Sequence, residues 1–331
     1  KIWWNEQWMG YPVGPWYESA LPEREAFCIR DISHQCIGEE INGHGRQNLN
    51  MFTKFVENIS ELKDWCTYWE INRYNLPAPA DYVSDEDFWY NLNANFDIID
   101  ACYKLYLWTG NKTYIEDPVF DRFFRLSLNE YIERWQLQAD KIMDRPALMN
   151  MPLPPPENRK FKYARGLPSY AERMKEFNVN GDLIAMIYAG FMKYAEIQKI
   201  KGNTEQYQLF CKKAEKYKEL YDTVWWNDQT GKYYTFLIDG KLIKTDYDNL
   251  LVSWYGIIDD PQRLSSMLEE VTQNKTIVEC KSYFPLIYYK KSFPEVAYNY
   301  MNELYTDSRR DYPEVASSLI ESVVCGLAGI D

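Results

Sequence analysis

Residues 107–113 read Leu-Trp-Thr-Gly-Asn-Lys-Thr, and residues 199–204 read Lys-Ile-Lys-Gly-Asn-Thr. Each stretch ends one helical pattern and opens another. Gly after the last turn supplies the left-handed C-cap, and the Asn or Thr beyond it can cap the next helix. The chain thus uses one αα-hairpin design at least twice. Apolar residues recur at i, i+3, i+4 and i+7 near 47–62, 86–110, 113–137, 179–201, 203–224, 247–258, 261–273, 294–306 and 312–328. In the second of these, Phe88, Leu92, Phe96, Ile99, Cys102, Tyr103, Leu105 and Tyr106 form a stripe too wide for a helix with one neighbour. A single hairpin cannot bury such stripes, so the pairs must stack and close, or be capped. The expected fold is all-α. Strand signal is slight: Tyr233–Ile238, Asp239-Gly240 and Lys241–Ile243 predict a minor β-hairpin with a type I′ turn.

Composition narrows the function. The 331 residues include 12 Trp, 28 Tyr and 15 Phe, and aromatic rings with polar tips stack on the C–H faces of pyranoses as well as filling cores. A net charge of −12 argues against nucleic acid and anionic membrane surfaces, while neutral sugars are compatible with it. No apolar run of about 18 residues is present, so no membrane span is expected. The chain opens on Lys1, and no secretion signal is visible in it; a periplasmic or secreted location is the expectation. Seven scattered cysteines without a C-x-x-C pair read as small hydrophobes, and two histidines without ligand spacing predict no metal site. Gly43-His44-Gly45 lacks the preceding strand that a dinucleotide site requires, so no cofactor is expected.

Chemistry concentrates in residues 21–48, which carry both histidines, Glu23, Glu25, Asp31, Glu39, Glu40 and three arginines, but no lysine. Asp31 opens a helical pattern through Ile32, Cys36, Ile37 and Ile41 and is read as its N-cap. The helix terminus would favour the ionised carboxylate. Two long non-periodic insertions, 63–85 and 139–178, are rich in aromatic residues and prolines, and are expected to wall a cleft.

Two segments resemble the six-hairpin glycosidases, enzymes built on an (α/α)6 toroid, and among them the α-L-rhamnosidase-like branch. Leu21-Pro22-Glu23-Arg24-Glu25 leading to Arg30-Asp31-Ile32-Ser33-His34-Gln35 is similar to that branch's Pro-x-Arg-Asp/Glu-Glu-Arg segment ending in Gly-Asp before the first toroid helix. Tyr312-Pro313-Glu314 with Leu319 to Ile330 resembles its last helix and Gly-x-x-Gly-Ile stop. Cys28-Ile29-Arg30 stands where the family has Gly-Trp before Gly-Asp, and the family's Trp-Glu base segment has no counterpart here. The resemblance implies an (α/α)6 toroid over 21–331 after an extended segment 1–20, with a β-domain following in many relatives. It also implies glycoside hydrolysis, usually inverting.

Hydrolysis needs one protonated and one ionised carboxyl group, roughly 6.5–9.5 Å apart for inversion. The candidates are Glu25 as acid, Glu314 as base and Asp31 in the site in either role. Arg30, His34, Gln35, Glu40, Trp69, Glu70, Trp89, Tyr90 and Glu172 are the candidate substrate contacts. For each a plain alternative stands beside it: ion pairing for Glu25, helix-dipole compensation for Glu314, core packing for Trp89 or Tyr90. The expected partner is an oligosaccharide or polysaccharide of plant or host origin. A non-catalytic glycan-binding protein and a polysaccharide lyase on the same toroid are the competing readings.

Overall fold

The computed structural model describes residues 10–19, 24–147, 149, 165–171, 177–246, 250–273 and 276–330. Its helices are α1 (Ile29–Ile41), α2 (Gly45–Glu57), α3 (Ala94–Thr109), α4 (Thr113–Glu116), α5 (Pro118–Leu128), α6 (Glu130–Arg134) and α7 (Gly181–Ile200). They continue with α8 (Thr204–Val224), α9 (Leu250–Tyr255), α10 (Pro261–Gln273), α11 (Val278–Lys281), α12 (Phe284–Lys290), α13 (Pro294–Thr306) and α14 (Pro313–Glu321). Burial divides them into two rings. α7 is buried around most of its circumference, whereas α8 buries only Phe210, Ala214, Tyr217 and Tyr221 along one stripe. A helix buried on all sides belongs inside, and one with a single apolar stripe belongs outside.

The inner ring runs α1, α3, α7, α9, α12, α14, through packing of α1 on α3, α3 on α7 and α7 on α9. Tyr283, which precedes α12, meets Trp254 of α9 edge-on at 5.1 Å. α14 then packs against α1 and closes the ring. The result is a helical toroid, with α2, α5, α8, α10 and α13 outside. Both junctions turn on glycine as the sequence predicts, with φ of 67° at Gly110 and 79° at Gly202. Asn111 accepts from the Thr113 N–H at the first, whereas the Asn203 side chain makes no cap bond to α8 and donates to Gln198.

The closure is tight. Tyr312 reaches Asp31, Glu314 and Ser318 reach His34, and Ser317 reaches Glu39, so α1 and α14 advance together and run parallel. A Cβ on Gly38 would stand 2.1 Å from the Ser317 carbonyl oxygen. Gly38 is the residue that allows the two backbones this close.

Several sequence expectations are corrected. The helix expected from residue 86 begins at Ala94, because Asp87–Phe88 pairs with Tyr82–Ser84 and Tyr90–Asn91 pairs with Arg165–Leu167 of the second insertion. The pattern over 113–137 divides into three helices, one break falling at Asp117, which caps α5 ahead of Pro118. α11 and α12 carry no clear period in sequence, being too short to show one. The β-hairpin forms as expected, with Ile238 opposite Lys241 and positive φ at Asp239 and Gly240. Within the N-terminal segment, Trp16 and Tyr17 are buried in the main core, and the Tyr17 hydroxyl donates to Asn48 at 2.6 Å.

Both insertions are pinned from below. Arg165 pairs with Asp64 at 2.8 Å, and buried Arg145 donates to the carbonyl oxygens of Trp135 and Asn178. All seven cysteines are free thiols. Among the described residues no helix is long and apolar enough to cross a membrane.

Candidate functional site

The inner helices bring carboxyl groups to one place through their first turns: Asp31 on α1, Asp97 on α3, Asp182 on α7 and Glu314 on α14. All four are buried. Asp31 and Glu314 are in hydrogen-bond contact, and the Tyr312 hydroxyl donates to Asp31 Oδ1 at 3.2 Å. Glu314 Oε1 lies 2.6 Å from His34 Nδ1, whose other ring nitrogen lies 3.3 Å from Ser318 Oγ. The His34 ring stacks on Tyr283 with 3.4 Å between centroids, and Trp254 meets it edge-on.

Arg30 joins this pair to a second acidic group. Its guanidinium sits over the Tyr170 ring at 4.9 Å, and it stands within electrostatic reach of Asp31, Glu314 and Asp97. Both oxygens of Asp97 accept from phenols, one from Tyr170 and one from Tyr255. Asp182 accepts from Ser169 at 2.6 Å. One helical turn deeper on α3, Asp100 binds Lys104 at 2.5 Å, and the Lys104 ammonium lies over Trp254. The segments around 30, 69, 170 and 314 therefore meet: Trp69 touches Tyr170, Tyr170 touches Arg30, and Arg30 faces Glu314.

Burial overrides the helix termini here. Asp31 is not the N-cap; Cys28, the last residue of the strand Ala26–Cys28, is, and Asp31 lies inside the first turn. Burial, reinforced by Glu314, pushes the Asp31 carboxyl up to about 7 against the pull of Arg30. Glu314 is likewise pushed to about 7 by burial, with Arg30 opposing, and is not held ionised by its helix end. Asp97 rises to about 7 by burial, against its two phenol hydrogen bonds. The dipole of a helix terminus acts through a partial charge of about half a unit, worth at most about 2 kcal/mol. Full desolvation of a carboxylate costs more.

The other expected contacts are distributed as follows. Glu25 accepts from Arg73 at 2.7 Å, at a partly exposed position with φ of 48°. Glu70 pairs with Arg24 at 2.9 Å and is raised by burial and by its neighbour Asp81. Glu40 accepts from Asn48 at 2.7 Å near the far end of α1, away from Asp31. Gln35 is fully buried beside Tyr17. Tyr90 is also fully buried, and its hydroxyl donates to Asn95 at 2.5 Å. Trp89 is buried, and Trp69 packs between Tyr90 and Tyr170. Glu172 lies outside the described residues. Among the described residues no cluster of His, Cys, Asp or Glu has the arrangement of a metal site. Sequence reasoning missed Asp97, Tyr255 and Tyr283. For Asp97 a signal was present, an acid interrupting the apolar stripe of α3.

A stability signature follows from these shifts. Asp31, Asp97 and Glu314 have folded-state values near 7, against 3.8, 3.8 and 4.5 for free carboxyl groups. Between about pH 4 and about pH 7 the unfolded chain has released these protons and the folded chain still holds them. The folded state binds more protons, so this group's contribution to stability falls as pH rises through that window and levels above it. Thermal unfolding at fixed ionic strength should show Asp97→Asn reducing the downward slope of Tm between pH 4.5 and 7; an unchanged slope would contradict the assigned burial.

The helices form a toroid with a six-hairpin, glycosidase-like fold. Among solved structures, the chain is similar to the GH78 family rhamnosidase of Bacillus sp. GL1, with a TM-score of 0.61 and 11% identity over 88% of this chain and 28% of that one. It is similar to a glycosidase in complex with glucose, with a TM-score of 0.63 and 9% identity over 95% and 91% of the two chains. An uncharacterized conserved protein from Thermus thermophilus gives 0.55 at 10% identity, over 93% and 94%. These identities speak for the fold alone, and the chain spans little more than a quarter of the rhamnosidase. No protein-family model and no curated protein matches the sequence.

Proposed function

We propose that this protein is a glycoside hydrolase. The observation that carries the reading is the pair of buried acidic groups within reach of one guanidinium: Asp31 with Glu314, and Asp97 with Tyr170 and Tyr255. Cleavage of a glycosidic bond needs a proton for the departing oxygen and a carboxylate that activates water or attacks the anomeric carbon. Two acidic groups with values near 7 supply both roles at neutral pH. Arg30 is a donor for sugar hydroxyls, and the tyrosine hydroxyl oxygens, whose protons go to Asp97 and Asp31, can accept from them. The carboxylate of Glu25 is engaged by Arg73, so this reading takes the proton donor from the Asp31–Glu314 pair. Inversion is the proposed outcome, with a water held at the Asp97 side.

The acidic surroundings disfavour a lyase, which would need cationic groups to neutralise a uronate. Among the described residues, four carboxyl groups line the first turns beside Arg30. A panel of aryl and natural glycosides, with the product anomer followed by proton NMR, tests the reading. Hydrolysis with inverted configuration is expected. Oligosaccharide binding without turnover would replace it by the glycan-binding reading.

A further inference from the structure

The hydrogen bonds around His34 form a chain in which the position of each proton follows from the last. Ser318 Oγ lies 2.5 Å from the carbonyl oxygen of Glu314, one turn back on α14. A carbonyl only accepts, so the single hydroxyl proton of Ser318 is spent there, the usual back-bond of a helical serine. His34 Nε2, 3.3 Å from the same oxygen, must then carry the hydrogen that completes that contact. The Nδ1–Glu314 contact at 2.6 Å holds one further proton. If it rests on Glu314, the imidazole is neutral and Glu314 is a carboxylic acid that donates to Nδ1. If it rests on Nδ1, Glu314 is a carboxylate. Either way Glu314 has only acceptor capacity left for its other contact. The hydrogen between Asp31 and Glu314 therefore belongs to Asp31.

We propose that Ser318, His34 and Glu314 form a one-way hydrogen-bond chain that keeps Asp31 protonated and so makes it the proton donor, with Glu314 and His34 as positioning residues. Glu314 is engaged on both sides, by His34 at one oxygen and by Asp31 at the other contact. The groups facing the chain are Cys28 and Arg30 beside Asp31, Lys104 from α3, Glu279 and Cys280 from α11, Tyr283 before α12 and Tyr312 before α14. Burial, aided by Arg30 and Lys104, pushes the His34 imidazole well below its ordinary value, which favours the neutral form of the chain. The donor role rests on the hydrolase reading; the proton placement does not.

Two measurements separate them. The chain has two histidines, His34 and His44, so nitrogen-15 NMR of the ligand-free protein resolves both rings, with His34→Asn as the assignment control. His34 is expected to carry its hydrogen on Nε2 from pH 5 to pH 9; a ring protonated on Nδ1 alone would overturn the chain. In turnover, a donor matters most when the leaving group is poor. Asp31→Asn should lower kcat/KM about 10²–10⁴-fold for unactivated glycosides and far less for nitrophenyl glycosides. Equal losses on both would remove the donor role. Ser318→Ala frees the tautomer and should move the alkaline limb of kcat/KM down by about one unit, with Ser318→Thr restoring it; an unmoved limb in Ser318→Ala would overturn the chain's control of Asp31. The expected tautomer in a protein without any hydrolysis would sink the hydrolase reading and the donor role, and leave the proton placement standing.

Discussion

Gly38→Ala is expected to lower the melting temperature more than a surface change on α1 would, and to disturb the acid site with it. Alanine is the better helix former by up to about 1 kcal/mol, which alone would predict a more stable protein. Here the added methyl would lie 2.1 Å from the Ser317 carbonyl oxygen, a backbone atom that cannot rotate away. Relief requires α1 and α14 to separate, at a cost on the order of 1–3 kcal/mol. That separation also strains the contacts of His34 with Glu314 and of Tyr312 with Asp31, which lie on the same two helices. Thermal unfolding and turnover should therefore fall together. A variant as stable as the unmodified chain would show that the ring does not close through this contact.

Asp97→Asn should separate activity from stability. The amide keeps the shape of the side chain and its place between Tyr170 and Tyr255, but it cannot take up a proton or carry charge. Loss of an acid–base group typically costs about 10²–10⁴ in rate. Above about pH 7 the same substitution replaces a buried charge by a neutral group, so Tm should hold or rise there. Turnover lost with Tm preserved is the mark of a site residue. If Tm collapses as well, Asp97 is a structural anchor for the second insertion, and the base role passes to another carboxyl group.

Much of the architecture was legible because helical periodicity and glycine caps are local. Gly110 and Gly202 sit where a left-handed residue ends a helix, and neither depends on what packs around it. The start of α3 lies eight residues past the expected one because Asp87–Phe88 and Tyr90–Asn91 pair as strands, the latter with Arg165–Leu167 far along the sequence. Aromatic residues were the least readable. Tyr255, Tyr283 and Tyr90 look alike in sequence, yet the first reaches Asp97, the second stacks on His34 and the third is locked in the core.

The sequence by itself determined a helical protein of repeated hairpins, a small β-hairpin, and a chemically dense segment near its start, with Glu314 as a candidate near its end. Local spacing, capping and turn chemistry suffice for those. Tertiary structure decided that these ends meet, with Tyr312 on Asp31 across 281 residues, because only ring closure brings α14 beside α1. It also decided the protonation of the acids. Asp31 and Glu314 stand at helix N-termini, where sequence logic favours the charged form, but burial depends on what surrounds a group in space. Desolvation in the closed toroid exceeds the pull of a helix terminus, and both groups hold their protons to about pH 7.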